Sequence, residues 1–217
     1  DIHLTDALTK EAKEALTDAV EADQPFYLYM AHYAVHAPIQ PHKRFMAHYA
    51  NRDYPGAGHD IPRTEEEYAS MVEGMDASLG ALLEHVESLG EAERTLVLFT
   101  SDNGGLSAHA RGQTPRGTGA NTHNWPLRAG KGSAYEGGTR VPFIAAWLAP
   151  DAAHPLQQRL PLEAGAQSAQ PVISEDLYPT VAALAGAADA IPPERPLDGR
   201  DIRGYLRQEE AGPERPL

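Results

Sequence analysis

The stretch from Thr64 to Gly90 leaves the chain little choice of fold. Tyr68, Met71, Val72, Met75, Leu79, Leu82, Leu83, Val86 and Leu89 place apolar groups on one face at helical spacing. Thr64 and Glu67 have the spacing of a capping box, and Gly90 supplies a stop. Thr95-Leu96-Val97-Leu98-Phe99 follows as a short, β-rich apolar run. A long one-faced helix feeding a buried strand is the repeating unit of an α/β layer. Packing alone accounts for the methionines and the tyrosine on that face.

The same rhythm appears on either side. Leu8, Ala12, Ala15, Leu16, Ala19 and Val20 recur at helical spacing after Thr5 and Asp6, which suit a cap and a first turn. Pro25 closes that helix and introduces Phe26-Tyr27-Leu28-Tyr29-Met30, a continuous apolar run expected of a strand covered on both faces. Val141 to Leu148 predicts another buried strand, and Ser174 to Gly186 a helix with Pro179 near its start. Asp151 to Pro171 reads as surface connection, and a Pro/Glu/Arg-rich tail runs from about 187 to 217. A chain of 217 residues can bury one substantial core, as one domain or a large piece of one.

Charge and composition exclude more than they identify. The formal charge is −13 and no basic run offsets it, which disfavours nucleic acid and anionic membrane as partners. An anionic substrate would need locally placed cations. The absence of cysteine rules out disulfides and Cys-based zinc sites. There is no apolar stretch of about 18 residues to span a membrane, and no signal-peptide pattern.

Chemistry-bearing residues gather where the strand at Thr95 ends, in Thr100-Ser101-Asp102-Asn103-Gly104-Gly105. Open α/β sheets bind ligands beyond the carboxyl ends of their strands. Asp102 and Asn103 offer hard oxygens suited to Ca²⁺ or Mg²⁺, although Asn-Gly-Gly by itself reads first as a turn. The segment from about 106 to 140 is rich in Gly, Thr, Asn and Arg, without a sustained hydrophobic period. Loops beyond about 12 to 15 residues in compact domains are usually functional or disordered. Within it Lys131 stands between Gly130 and Gly132, where its ammonium can approach a compact anion. A P-loop fails here, because Gly132 replaces the required Ser or Thr and Trp125 stands where the first glycine belongs. His36, between the Phe26 run and Pro38, can transfer protons near neutral pH.

The Asp102-Asn103 pair together with Pro126-Leu127-Arg128-Ala129-Gly130-Lys131-Gly132-Ser133-Ala134-Tyr135-Glu136-Gly137-Gly138-Thr139-Arg140-Val141-Pro142 resembles the type I sulfatases, the formylglycine-dependent branch of the alkaline-phosphatase superfamily. The likeness extends to Phe26-Tyr27-Leu28-Tyr29-Met30-Ala31-His32-Tyr33-Ala34-Val35-His36-Ala37-Pro38, to Tyr68 through Gly105, to Ser174-Glu175-Asp176-Leu177-Tyr178-Pro179-Thr180 and to Leu197-Asp198-Gly199-Arg200-Asp201. Several ordered matches weigh far more than any one. The resemblance implies a mixed, mostly parallel sheet flanked by helices, with residues 1–217 covering the middle and later part of a catalytic domain that is incomplete at both ends.

The same resemblance implies the chemistry: hydrolysis of a sulfate ester, a sugar sulfate first and an aryl sulfate second. His36 would serve as proton donor, Lys131 would bind sulfate, and Asp102 and Asn103 would be ligands of Ca²⁺ or Mg²⁺. His123, Asn124 and Arg128 would contact the substrate, while Trp125 suits either that contact or packing under the loop, and Arg140 a structural ion pair. His32, His42, His48, His59, His85, His109 and His154 are expected to be ordinary surface or packing residues. The family's C/S-x-P-x-R nucleophile motif, its N-terminal acidic pair and its Lys-x-His element have no match here. Formylglycine is therefore expected in the parent protein and not in this chain, which alone should be inactive. A periplasmic or secreted location is implied as well. Two alternatives stay open: a metal-dependent phosphatase or phosphodiesterase of the same superfamily, and a non-catalytic fragment binding glycans or partners.

Overall fold

The computed structural model describes residues 2–50, 66–106, 122 and 124–209. The chain divides into two compact units, Asp1–Ala92 with Asn103–Val141, and Glu93–Asp102 with Pro142–Leu217.

In the first unit helix α1 (Leu4–Glu21) begins at His3, whose Nδ1 accepts the Thr5 N–H at 3.3 Å. The cap thus lies ahead of Thr5, which is buried inside the first turn, and Asp6 sits in that turn as its charge favours. Past Glu21 the chain turns through Asp23 at φ 52°, with the Gln24 N–H donating to the Ala19 carbonyl at 2.9 Å. A one-turn helix α2 (Met46–Tyr49) precedes the long helix α3 (Glu66–Ser88). Gly90, at φ 76°, ends α3 as expected, and the Glu91 N–H reaches back to the Val86 carbonyl at 3.2 Å.

Ala12 and Leu16 of α1 are buried, as are Met71, Leu82 and Val86 of α3. The buried face of α3 also takes in Gly74 and Ser78, while Val72 is 39% exposed. Small residues are wanted there for two reasons. Ser78 Oγ pairs with the Thr9 hydroxyl of α1. The His42 ring lies over Gly74, where an added Cβ would come within 2.5 Å of its Cδ2. His42 is almost fully buried, its Nε2 3.1 Å from Asp6 Oδ1, its backbone N–H donating to Ser70 Oγ at 3.0 Å, and its ring beside those of His3 and Phe45. It ties α1 to α3 as a packing residue.

Phe26 to Met30 does not form the expected strand. It pairs with no strand among the described residues, and Tyr27, Leu28 and Tyr29 are exposed. Its apolar residues on both faces call for neighbours on both faces, and without a ladder partner the apolar run alone does not make a strand.

In the second unit strand β1 (Leu96–Thr100) pairs antiparallel with β2 (Phe143–Trp147), from Leu96 opposite Trp147 to Thr100 opposite Phe143. The strands fall where the apolar runs predicted, but β2 is not buried on both sides. Phe143, Ala145 and Trp147 are half-buried, while Ile144 and Ala146 point to solvent, the alternation of a sheet covered on one face. The expected surface connection after Asp151 is partly interior. It contains helix α5 (Pro155–Arg159), the fully buried Leu160, whose carbonyl accepts the Trp147 indole N–H at 2.9 Å, and the buried Gln157. The Gln157 amide donates to the Glu93 and Ala149 carbonyls and accepts the Asp151 N–H. Nothing in an apolar-periodicity reading flags a glutamine that satisfies three backbone groups.

Helix α6 (Leu177–Leu184) follows a 3₁₀ turn at Ser174–Asp176. Asp176 is fully buried and accepts the N–H groups of Ile173 and Arg200 at 2.9 and 2.8 Å. Thr180 Oγ1 accepts the Ile202 N–H at 3.0 Å. The start of the Pro/Glu/Arg-rich tail is thereby stitched down, with Ile202 and Tyr205 buried around helix α7 (Arg203–Leu206). Among the described residues no helix is long and apolar enough to cross a membrane.

Gly74→Val should lower stability by about 1–3 kcal/mol, because the branched side chain must displace His42. Val72→Thr on the exposed side of the same helix should shift it by less than about 0.5 kcal/mol. Denaturant midpoints of the two variants against the parent check this contrast.

Candidate active site

The glycine pair that follows Asn103 is clamped by the lysine loop. The Gly104 N–H donates to the Gly138 carbonyl at 3.1 Å, and a Cβ on Gly104 would collide with the Gly137 carbonyl oxygen. Gly137 is equally confined, since a Cβ there would strike the carbonyls of Arg128 and Ala129. The Gly137 N–H donates to Arg128 O at 2.9 Å, and the Lys131 N–H to Gly105 O at 3.0 Å. Helix α4 (Glu136–Thr139) is a single turn within this mesh. A segment without hydrophobic periodicity therefore takes its order from partnered backbone groups.

Lys131 is half-buried between Gly130 and Gly132 and has no ion pair among the described residues. Neighbouring cations are differently placed. The Arg128 guanidinium lies 3.9 Å over the Tyr135 ring, and Arg140 pairs with Glu136 at 3.2 Å, the structural use expected of it. Asn124 uses its side chain on backbone: Oδ1 accepts the Gly105 N–H at 2.9 Å, and Nδ2 donates to Gly105 O at 2.8 Å and to Ala129 O at 3.1 Å. Ala129 is left-handed at φ 63°, a conformation that costs a non-glycine residue about 1–2 kcal/mol. The exposed Trp125 follows the amide, and His123 lies outside the described residues.

Asp102 is exposed just after β1, and Asn103 is half-buried, its Nδ2 donating to Gly104 O at 3.0 Å. Carboxylate and amide oxygens are the right donor type for a hard divalent cation, but Ca²⁺ takes about 6–8 of them. Among the described residues no cluster of three or more His, Asp or Glu completes such a set. The donor chemistry fits a cation that would draw further oxygens from elsewhere.

His36 stands apart from the lysine mesh. It is exposed, and its Nδ1 lies 2.7 Å from the Ala37 carbonyl oxygen. That contact assigns the proton to Nδ1 and leaves Nε2 as the atom for proton exchange. Beside it is a pocket of about 170 Å³ walled by Leu4, Thr5, Tyr33, Pro38 and Met71. The first turns of α3 serve both places, since Met71 lines this pocket and Tyr68 bonds to Thr122 next to the lysine loop. Burial pushes the Tyr68 hydroxyl above its ordinary range, the Thr122 bond opposing, so it stays protonated at neutral pH. Burial also pushes His32 below the usual imidazole range, which keeps it neutral there.

Sequence reasoning singled out Asn124 as a substrate contact but missed the clasp it forms with Gly105 and Ala129. The available signal was an amide side chain near a long glycine-rich loop, whose backbone groups need partners.

Comparison with known proteins supplies the family. A family model described as Sulfatase matches residues 2–187. The chain is 34% identical over 218 residues to a sulfatase of Formosa agariphila, covering 95% of this chain and 34% of that protein. It is 36% identical over 184 residues to the steryl-sulfatase of Mus musculus, covering 85% of this chain and 25% of that one. The solved structure of Ps i-CgsB in complex with k-i-k-neocarrahexaose superposes with a TM-score of 0.74 at 34% identity, covering 95% of this chain and 39% of that one. The chain thus spans a quarter to about a third of the length of these curated relatives. The structural likeness carries the α/β, alkaline-phosphatase-like fold class, of which the described residues form a helix-rich region with a small sheet. With a family match over most of its length, the chain belongs to the sulfatase family.

Proposed function

We propose that the protein hydrolyses sulfate esters, with sulfated carbohydrates as the first substrate class and aryl sulfates as the second. The observation that carries this reading is Lys131, a half-buried cation without an ion pair among the described residues, its backbone N–H bonded to Gly105 close in sequence to Asp102 and Asn103. An ammonium carried on an ordered, partly desolvated loop stabilises negative charge on sulfuryl oxygens. The carbohydrate preference draws support from Ps i-CgsB, solved with a neocarrahexaose bound. A periplasmic or secreted location follows from the same family reading.

His36 is assigned the proton that the departing alcohol needs. With Nδ1 held on the Ala37 carbonyl, Nε2 is the atom that delivers it. Arg128, stacked on Tyr135, is assigned to the substrate's rim, and so is His123. The formylglycine expected in the parent protein would supply covalent attack at sulfur, and a divalent cation, when bound, would supply charge neutralisation, with Asp102 and Asn103 contributing oxygens to it.

In the full-length protein Lys131→Ala should reduce kcat/KM on a sulfate ester by about 10²–10³-fold at an unchanged melting temperature. Turnover close to the parent's would remove Lys131 from the chemistry. His36→Ala should depress hydrolysis of a sugar sulfate by about 10²–10⁴-fold, and that of nitrophenyl sulfate much less, because a phenolate departs without protonation. Equal losses on both esters would rule out His36 as the proton donor.

A further inference from the structure

From its hydrogen bonds we infer that Asn124 is a positioning residue: its amide sets the backbone on which Lys131 stands, and it does not contact the substrate. A primary amide has two N–H donors. Both are committed to carbonyls, one to Gly105 at 2.8 Å and one to Ala129 at 3.1 Å. Nothing in the group is left to donate to an anion. Its oxygen accepts the Gly105 N–H at 2.9 Å, so Asn124 closes a two-bond ring with Gly105 as a neighbouring strand residue would.

The consequence reaches Lys131 through a single atom. The Gly105 carbonyl accepts from Asn124 Nδ2 and also from the Lys131 N–H at 3.0 Å. Asn124 therefore orients the acceptor on which the lysine backbone rests. Its second donor holds the carbonyl of Ala129, the left-handed residue through which the chain turns towards Gly130 and Lys131. The same turn is held from the other side by the Gly137 N–H on Arg128 O. Gly105 leaves room for this arrangement, since a Cβ there would meet Thr122 and approach Asn124 Oδ1 to 3.3 Å. One side chain thus holds two residues through three bonds: Gly105, whose carbonyl is the acceptor for Lys131, and Ala129 in the strained turn.

This inference rests on Lys131 acting on the sulfate ester, and the test separates the two. In the full-length protein Asn124→Ala should lower kcat by about 10–100-fold, the scale of a small displacement of a catalytic group. The Asn124→Ala/Lys131→Ala double variant should be no slower than Lys131→Ala alone, because a misplaced lysine and a missing one are the same loss. Hydrogen exchange at the Gly105 and Lys131 amides should quicken by about tenfold or more while α3 keeps its protection.

Additive losses with unchanged exchange at those amides would make Asn124 a substrate contact and overturn the inference. Additive losses with faster exchange throughout α3 would reduce it to a general stabiliser and also overturn it. Should Asn124→Ala fail to fold, Asn124→Asp has the same shape and keeps the bond from the Gly105 N–H. It loses both donations, and parental kcat in that variant would equally overturn the inference. If Lys131→Ala itself retains activity, the sulfate-binding reading fails, and exchange at the two amides alone decides whether Asn124 holds the loop.

Discussion

Backbone meeting backbone between Gly104 and Gly137 is the constraint from which the lysine loop is built. Neither position has room for a Cβ, and that closeness lets the Gly104 N–H reach Gly138 O, the Gly137 N–H reach Arg128 O and the Lys131 N–H reach Gly105 O. Each such bond contributes only about 0.5–1.5 kcal/mol net, but leaving a buried partner unsatisfied costs about 1–3 kcal/mol. The mesh is therefore held less by the strength of any one bond than by the penalty for opening one. A loop ordered in this way presents its lysine in a fixed place before any ligand arrives.

Elements whose stability is local were legible in the sequence. The periodicity of α3, its Gly90 stop and the β1 run each carry their own instructions, and the structure places them within a residue or two of expectation. Phe26 to Met30 went the other way, because a strand is a relation between segments and the apolar run specifies only one side of it. The helix–helix contact was half-legible. Counting large apolar groups favoured Val72, whereas the buried face uses Gly74 and Ser78, whose value lies in what sits against them. Asn124 and Gln157 were illegible for a related reason. Each is an amide completing the hydrogen bonds of backbone distant in sequence, and composition says nothing about which carbonyls lie within reach.

The placement of charge explains how a strongly acidic chain can handle an anion. Among the described residues Lys10 with Glu14 and Arg140 with Glu136 form exposed local pairs, each worth about 0–1 kcal/mol. Arg128 sets its charge against the Tyr135 ring, which leaves it uncancelled but directed. A carboxylate beside Lys131 would satisfy the ammonium and compete with any anion brought to it. The structure instead orders the lysine backbone through its own N–H and its neighbours' carbonyls, and among the described residues no carboxylate pairs with its charge. Geometry from the backbone and charge from the side chain are supplied separately. That separation lets a chain of net charge −13 present a local positive charge in this loop.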